Sequence, residues 1–200
     1  MTLRNRMNLS ANHKFKRFRP AAVLLGLLVL LLGASRDFAG EATMPFTEYQ
    51  VKALFLLNFT KYVAWPTNAF AGTNAPFTIG VYGENDFGDA LQTAVAGRSV
   101  NGRRIAIRQL DGTNDPAGCQ ILFISHSAEK PAGEILDQVR TLPVLTVGET
   151  DQFLQQGGVI RFLKKESKIR LEINLEAARQ ANLKISSKLL NVADLVKGKP

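Results

Sequence analysis

The hydrophobic positions that follow residue 47 recur at helical spacing. Apolar side chains fall at i, i+3 and i+4 over several turns, and the stripe is wide enough to bury much of the helix. Thr47 is placed to cap this helix, and Gln50 stands where it completes a capping box. A Trp-Pro pair follows, and proline disfavours helix at the residue before it. The pattern predicts a helix that runs to about Ala64, with Phe55 and Phe59 in the core.

Short apolar runs separated by helical patterns make up the middle of the chain. The predicted strands span residues 77–83, 104–110, 121–124 and 143–147. The helical patterns between them cover residues 86–96 and 128–140. Most of these strands are apolar throughout, which is typical of a parallel sheet covered on both faces. Alternation of strands and helices favours the crossover connections that such a sheet needs.

The C-terminal part changes to an antiparallel pattern. Residues 159–163 and 168–175 flank a polar turn at residues 164–167, which predicts a β-hairpin. Along the second strand, one face is apolar and the other is formed by Lys168, Arg170, Glu172 and Asn174. Helical patterns at residues 176–181 and 187–196 close the chain. The predicted fold class is α/β, with a mostly parallel central sheet flanked by helices and a C-terminal β-hairpin added to the sheet.

An export signal precedes this domain. Residues 21–34 carry no charge, and six Lys or Arg residues but no Asp or Glu come before them. A helix needs about 20 apolar residues to span a bilayer, so this stretch of fourteen suits the core of a signal peptide. We therefore expect a signal peptide at residues 1–42, a single domain at residues 43–200 and a location in the periplasm. An uncleaved N-terminal anchor is the alternative, and it places the same domain outside the cytoplasm.

The charge balance changes once that segment is set aside. The whole chain has 25 Lys and Arg against 17 Asp and Glu, and seven of these basic residues but two of the acidic ones lie in residues 1–42. The remaining 18 basic and 15 acidic residues give a formal charge of +3, so the composition is no argument for nucleic-acid binding. Cys119 is the one cysteine, so no intramolecular disulfide can form, and its place before an apolar run predicts a small buried side chain.

Groups that carry catalysis or bind metals are scarce in residues 43–200. His126 is the only histidine there, which argues against an ordinary His/Cys zinc site. A Ser-His-Asp arrangement with a Gly-x-Ser-x-Gly elbow and the glycine-rich phosphate-binding motifs are not found in the sequence. Acidic pairs occur at a helix start and in a loop, where capping roles are common. The sequence therefore predicts a protein that is not an enzyme and has no catalytic residues, metal or cofactor.

One set of residues is placed to form a ligand crevice. In parallel sheets, ligands bind beyond the carboxyl ends of the strands, and three polar or small segments leave such ends. These segments are residues 83–87, 125–127 and 148–150. Each precedes a predicted helix N-terminus, which favours anions. The candidate crevice residues are Gly83, Asn85, Ser125, His126 and Glu149. Ordinary turn and capping roles for the same residues are the alternative.

Seven stretches of the chain, in order, resemble a known family. They are VKALFLLNFTKYVAWP, FTIGVYGENDFGDAL, VNGRRIAIRQL, CQILFIS, PVLTVGE, GGVIRF and IRLEINLEAARQANLKISSKLLNVA. Together they cover about residues 46–196 and closely resemble the YfiR family of periplasmic regulators, also called HmsC-like. Each stretch alone is weakly specific, and their common order makes the set specific.

The resemblance implies a periplasmic α/β domain without catalytic residues. The best-known members of the family bind the periplasmic sensor region of an inner-membrane diguanylate cyclase and repress it, which limits cyclic di-GMP and biofilm formation. Other members are input domains of histidine kinases or cyclases. We therefore expect a regulator whose partner is the periplasmic domain of a diguanylate cyclase or a sensor kinase, with a homodimer as a further possible assembly. Because Cys119 stands alone, the disulfide-based redox control of some members is not expected.

Three residues are candidates for the contact with that partner. Trp65 stands at a helix end before a loop of small residues, where an aromatic side chain can anchor an interface. Lys168 and Arg170 would supply a charged rim. A core tryptophan and a solvated sheet face are the structural alternatives. For the function as a whole, a periplasmic small-ligand-binding sensor without a cyclase partner is the main alternative, and a hydrolase is the third hypothesis.

Export is directly testable. In a Gram-negative host, the basic and apolar N-terminal segments should direct the chain to the periplasm. Mass spectrometry should then find a mature N-terminus between residues 36 and 43. An intact Met1 in a cytoplasmic fraction would contradict the signal-peptide prediction.

Overall fold

The computed structural model describes residues 46–113, 115–128 and 131–196. The signal peptide predicted at residues 1–42 lies outside the described residues. Within the described ranges, no helix combines the length and the apolar character needed to cross a membrane.

The described residues form five α-helices and ten strands. The helices are α1 (Glu48–Tyr62), α2 (Ala90–Val95), α3 (Ala132–Val139), α4 (Leu175–Gln180) and α5 (Ser187–Leu190). The strands are β1 (Val63–Ala64), β2 (Phe77–Tyr82), β3 (Ser99–Val100), β4 (Arg103–Leu110), β5 (Ile121–Ile124), β6 (Leu145–Gly148), β7 (Ile160–Lys165), β8 (Lys168–Ile173), β9 (Lys184–Ile185) and β10 (Asp194–Leu195). Single turns of 3₁₀-helix cover Thr67–Ala69, Pro116–Gly118 and His126–Ala128.

Eight of these strands form one sheet in the order β10-β8-β7-β6-β5-β2-β4-β3. The central strands β4, β2, β5, β6 and β7 run parallel to one another. β8 lies antiparallel beside β7 and completes the C-terminal hairpin. Because β2 pairs with β4 on one side and β5 on the other, the strand order reverses at β2. The predicted fold class, a mostly parallel sheet flanked by helices with an added hairpin, is confirmed.

The capping box at the start of α1 is present as predicted. The Thr47 hydroxyl accepts a hydrogen bond from the Gln50 backbone N–H (3.3 Å), and the Gln50 side chain accepts one from the Thr47 backbone N–H (2.8 Å). The helix ends at Tyr62 instead of Ala64, because β1 pairs antiparallel with β9 in a separate two-stranded sheet. This long-range pairing overrides the helical pattern at the last two predicted positions.

Three other predicted helices are shorter in the structure. α2 begins at Ala90 instead of residue 86, because Asn85 accepts a hydrogen bond from the Phe87 backbone N–H (3.2 Å) and holds a turn there. α3 likewise begins later than predicted. The helix predicted over residues 187–196 ends after one turn as α5, and the residues beyond it form β10, parallel to β8. That part of the prediction was wrong because the open edge of β8 offers backbone hydrogen bonds.

The polar face predicted for β8 is exposed along only half of its length. Lys168 and Arg170 are exposed as expected. Glu172 instead accepts a hydrogen bond from Arg161 of β7 (2.7 Å). Asn174 is fully buried, and its side chain caps α4 by accepting two backbone N–H groups of the first turn. The expectation of a fully wet or partner-facing strand face is therefore corrected at its C-terminal half.

Aromatic rings build the core that joins α1 to the sheet. Phe59 is fully buried and contacts Phe55 and Phe162, with ring centroids 6.2 and 6.1 Å apart. Phe162 in turn contacts Phe123 of the central strand β5 at 6.3 Å. Phe55 is partly buried and packs against the same cluster. The prediction that Phe55 and Phe59 belong to the core is confirmed.

A second core lies on the opposite face of the sheet, where the other alternate side chains of β5 point. Cys119 belongs to it and is 1% exposed. Burial raises the pKa of its thiol to about 11, so the thiol stays protonated at neutral pH. The prediction of a small buried side chain is confirmed. In the same core, the ring of Phe153 occupies the space that a Cβ at Gly148 or Gly158 would need.

Truncation of Phe59 tests the aromatic core. Because its side chain is fully buried, Phe59→Ala should lower the free energy of unfolding by about 3–5 kcal/mol, measured by urea unfolding followed by circular dichroism. Leu54→Ala, in the same helix at a position that is 37% exposed, is the matched control. It should change the free energy by about 0.5 kcal/mol or less. Equal losses in the two variants would contradict the assignment of Phe59 to the core.

Candidate functional site

The three segments predicted to form a ligand crevice meet at one edge of the sheet. β2, β5 and β6 are parallel neighbours, so their carboxyl ends lie side by side. The Ser127 hydroxyl, after β5, accepts a hydrogen bond from the Glu84 backbone N–H, after β2 (2.7 Å). The His126 backbone N–H donates to Glu149 Oε1, after β6 (2.9 Å). The juxtaposition expected from a parallel sheet is therefore present.

The first turns of α1 occupy the space in front of these strand ends. The Tyr49 hydroxyl lies 3.2 Å from both Asp86 Oδ2 and Glu149 Oε1. Lys52 Nζ lies 2.5 Å from Glu149 Oε2 and 2.6 Å from Glu48 Oε1. Glu149 thus accepts hydrogen bonds from α1 and from the turn after β5 at the same time. The protein's own helix closes much of the crevice that the strand ends would otherwise leave open.

Lys52 is the centre of this cluster and is almost wholly buried. Its residue is 3% exposed, and the side chain of Glu149 is 8% exposed, so water hardly reaches the ion pair. A buried ammonium group is tolerated only when it is paired and hydrogen-bonded. Lys52 Nζ also lies 4.3 Å from the centroid of the Tyr49 ring, a cation–π contact that adds to the pairing.

The ionisation of neighbouring groups is set by the same contacts. Hydrogen bonds from Lys164 and from Lys52 lower the pKa of Glu48. Burial, followed by two nearby carboxylates, raises the pKa of Tyr49, so its hydroxyl stays protonated and donates. Lys52 pairs with Glu48 and Glu149, and the pair with Glu149 attaches α1 to the strand ends. Within the described ranges, no group of three His, Cys, Asp or Glu side chains is arranged to hold a metal ion.

The five predicted crevice residues have different local roles. Gly83 has a φ of 92°, and a Cβ there would come 2.7 Å from a serine hydroxyl, so the turn requires glycine. Asn85 caps the turn before α2, and the buried Ser125 hydroxyl accepts a backbone N–H two residues on (3.2 Å). His126 and Glu149 line a remaining cavity of about 310 Å³. Turn and capping roles therefore account for Gly83, Asn85 and Ser125. The binding of a ligand by the five residues stays a prediction.

Sequence reasoning missed Tyr49 and Lys52 as residues of this site. A signal was present, because Lys52 lies three and four residues before Phe55 and Leu56 and therefore on the same apolar stripe. Lysine is almost never buried unless it is paired, so a lysine on such a stripe marks a buried ion pair. Its partner Glu149 is 97 positions further along the chain. Only the order of strands in the sheet identifies that partner.

The predicted partner-contact residues line separate parts of the surface. Trp65 is half-buried, its indole N–H donates to the Gln120 carbonyl oxygen (3.0 Å), and its ring packs edge-on against Phe77 at 4.9 Å. Lys168 and Arg170 are exposed on the hairpin strand β8. The contacts of Trp65 are those of the structural alternative, a core tryptophan. A role in partner binding stays a prediction for all three residues.

Exposed apolar side chains lie along α1 and, in a second group, at Val192, Leu195 and Val196. Phe46 is 70% exposed and lines two grooves. One has a volume of about 360 Å³ and is bordered by Leu54, and the other has about 500 Å³ and is bordered by Val51 and Lys168. We call the group of Phe46, Val51, Leu54, Lys164 and Lys168 the Phe46 surface. Apolar side chains with a polar rim are the composition of protein interfaces.

The chain is thus an α/β domain whose strand ends are closed by its own first helix, and its sequence places it in a known family. It belongs to the YfiR/HmsC-like family, whose sequence profile matches residues 49–194. The matched range contains Tyr49, Lys52 and Glu149 and nearly the whole sheet. The resemblance noted from the sequence is confirmed. A comparison with curated proteins gives no match.

Two solved structures resemble the chain at low sequence identity. A conserved domain protein from Vibrio cholerae O1 biovar El Tor superposes with a TM-score of 0.54 and 10% identity, over 77% of this chain and 61% of that one. An ABC domain from Streptococcus pneumonia, solved in complex with L-Trp, gives a TM-score of 0.49 and 11% identity, over 74% and 60%. The chain therefore spans less than two-thirds of the length of either protein. The likeness to the Vibrio protein concerns the fold alone.

Removal of the Lys52 charge tests the attachment of α1. Lys52→Met leaves the Glu149 side chain, which is 8% exposed, without its cation, whereas Glu48 keeps its ion pair with Lys164. The free energy of unfolding should therefore fall by about 3–5 kcal/mol. Adding Glu149→Gln should restore part of that loss, because the amide can still accept the His126 N–H. Lys61→Met, at an exposed position of the same helix, is the matched control and should be nearly neutral. A neutral Lys52→Met would contradict the attachment.

Proposed function

We propose that this protein is a periplasmic regulator that binds the extracytoplasmic domain of an inner-membrane diguanylate cyclase and holds the enzyme inactive. The observation that carries the proposal is membership of the YfiR/HmsC-like family over residues 49–194. That family consists of regulators and is typically periplasmic. The export signal predicted at residues 1–42 supports the same location. A sensor kinase is the second class of partner for such a domain.

The Phe46 surface is the part of the described domain that best suits such a partner. Interfaces are anchored by aromatic and aliphatic side chains that become buried on binding, within a polar rim. Phe46 and Leu54 are 70% and 37% exposed, so both have area to bury. Lys168 borders the larger groove and would complement an acidic group of the partner. We assign the main contact to this surface and keep Trp65 and Arg170 as secondary candidates.

Loss of the gene tests the repressor function. In the parent organism, a deletion should raise cellular cyclic di-GMP and surface attachment, because a repressed cyclase is released. Wild-type protein supplied in trans should reverse both effects. Unchanged cyclic di-GMP in the deletion strain, under several growth conditions, would reject the repressor function and favour the alternative, a small-ligand sensor without a cyclase partner.

Surface variants test where the partner binds. The double variant Phe46→Ala, Leu54→Ala should fold normally. It should bind the purified extracytoplasmic domain of the cyclase about tenfold more weakly or worse, because a loss of about 1.4 kcal/mol of binding free energy lowers the affinity tenfold. Val192→Ala is the matched control, because Val192 is 65% exposed and lies outside both grooves. Equal affinities of the double variant and the control would contradict the assignment to the Phe46 surface without touching the repressor function.

A further inference from the structure

A cavity lies at the far end of α1 from the Lys52 cluster. It has a volume of about 540 Å³, within the range of small-molecule sites. Its walls come from the C-terminal half of α1, from β1 and the loop after it, from the start of β2, and from β3 with the residues on either side of it. It is therefore distinct from the crevice at the strand ends and from the Phe46 surface.

Aromatic rings form one side of this cavity. Trp65 meets Phe77 edge-on at 4.9 Å, and Phe70 lies 6.3 Å from the same ring. All three residues line the cavity. Trp65 and Phe70 are only half-buried, so part of each ring is left for another flat group. Aromatic faces of this kind favour ring-shaped ligands through offset or edge-to-face packing.

Cationic groups stand at the mouth. Lys61 and Arg98 line the cavity and are exposed. Neither forms an ion pair with a carboxylate among the described residues. The other polar lining groups are neutral ones, from Thr60, Ser99 and Asn101. The lining contains no Asp or Glu, so nothing in it repels a negative charge.

The walls are held in place by contacts that do not need a ligand. Arg103 lies over the Phe70 ring at 4.1 Å and donates to the carbonyl oxygens of Gly72 and Ala75 (2.9 and 2.7 Å), which ties the loop after α1 to β4. The indole N–H of Trp65 is bonded to the Gln120 carbonyl. A preformed site spares a ligand the entropy of ordering these side chains.

We propose that this cavity binds a small organic anion with a flat apolar ring, of the class of aromatic carboxylates. The ring packs against Trp65 and Phe70, and the anionic group meets Lys61 and Arg98. A neutral compound with the same ring should bind more weakly than the anion, because it cannot form ion pairs with Lys61 and Arg98. The proposal stands on the cavity itself and holds whether or not the protein represses a cyclase.

Binding is measured with benzoate, 2-naphthoate and phenyl phosphate, each by isothermal titration calorimetry and by fluorescence. Trp65 is the one tryptophan of the chain, so a fluorescence change reports on this cavity. At least one of the anions should bind with a Kd below about 1 mM. The neutral isosteres benzamide and 2-naphthamide should bind at least tenfold more weakly. Failure of all three anions, or equal affinity of the neutral isosteres, would overturn the proposal.

Paired variants locate the site. Lys61→Gln combined with Arg98→Gln changes two exposed side chains and should leave the melting temperature unchanged while lowering the anion affinity tenfold or more. Lys188→Gln combined with Arg179→Gln removes one lysine and one arginine outside the cavity and should leave the affinity as in the wild type. Trp65→Phe should keep binding in calorimetry and lose the fluorescence response. Equal affinity of the two double variants would refute the site.

Discussion

The burial of Lys52 is the constraint on which the arrangement of the domain depends. An ammonium group that is 3% exposed must have its charge matched, and Glu149 can do so only if α1 lies directly against the carboxyl ends of β5 and β6. Apolar packing alone would let a helix shift or rotate over a sheet at small cost, whereas a buried ion pair has one geometry. The aromatic contacts of Phe59 then stabilise a helix whose position is already determined.

The two ends of α1 lie in different surroundings. The helix has 15 residues, so at 1.5 Å a residue its ends are about 22 Å apart. At its N-terminal end, charged groups close the place where parallel sheets often bind ligands, and an apolar surface is left outside. At its C-terminal end lies a cavity with aromatic walls and two cations, Lys61 and Arg98, which form no ion pair within the part of the chain that the structure describes. A ligand at one end and a protein partner at the other would both contact the same rigid element.

Local signals allowed much of the fold to be predicted. The capping box needs only Thr47 and Gln50, the apolar strands need only a few adjacent residues, and their order with helices indicates a parallel sheet. The predictions that were wrong concern elements whose ends are set by contacts between residues far apart in the chain. The end of α1 is set by pairing with β9, and the last predicted helix gives way to β10 at the edge of β8. The strand order made it possible to predict that the ends of β2, β5 and β6 lie together. It was not possible to predict that Lys52 of α1 closes this place, because its partner Glu149 is 97 positions away in the chain.

The pairing of β1 with β9 also bears on the order in which the chain can fold. α1 and β1 precede the sheet in the chain, yet the Phe59 ring of α1 packs against Phe162 of β7, and β1 pairs with residues 184–185 near the C-terminal end of the domain. Until β7 and β9 are synthesised, Phe59 lacks its ring contact with Phe162 and β1 lacks its partner strand. These two contacts carry the cost of closing long loops. α1 therefore completes its packing only after the C-terminal strands β7 and β9 have been synthesised.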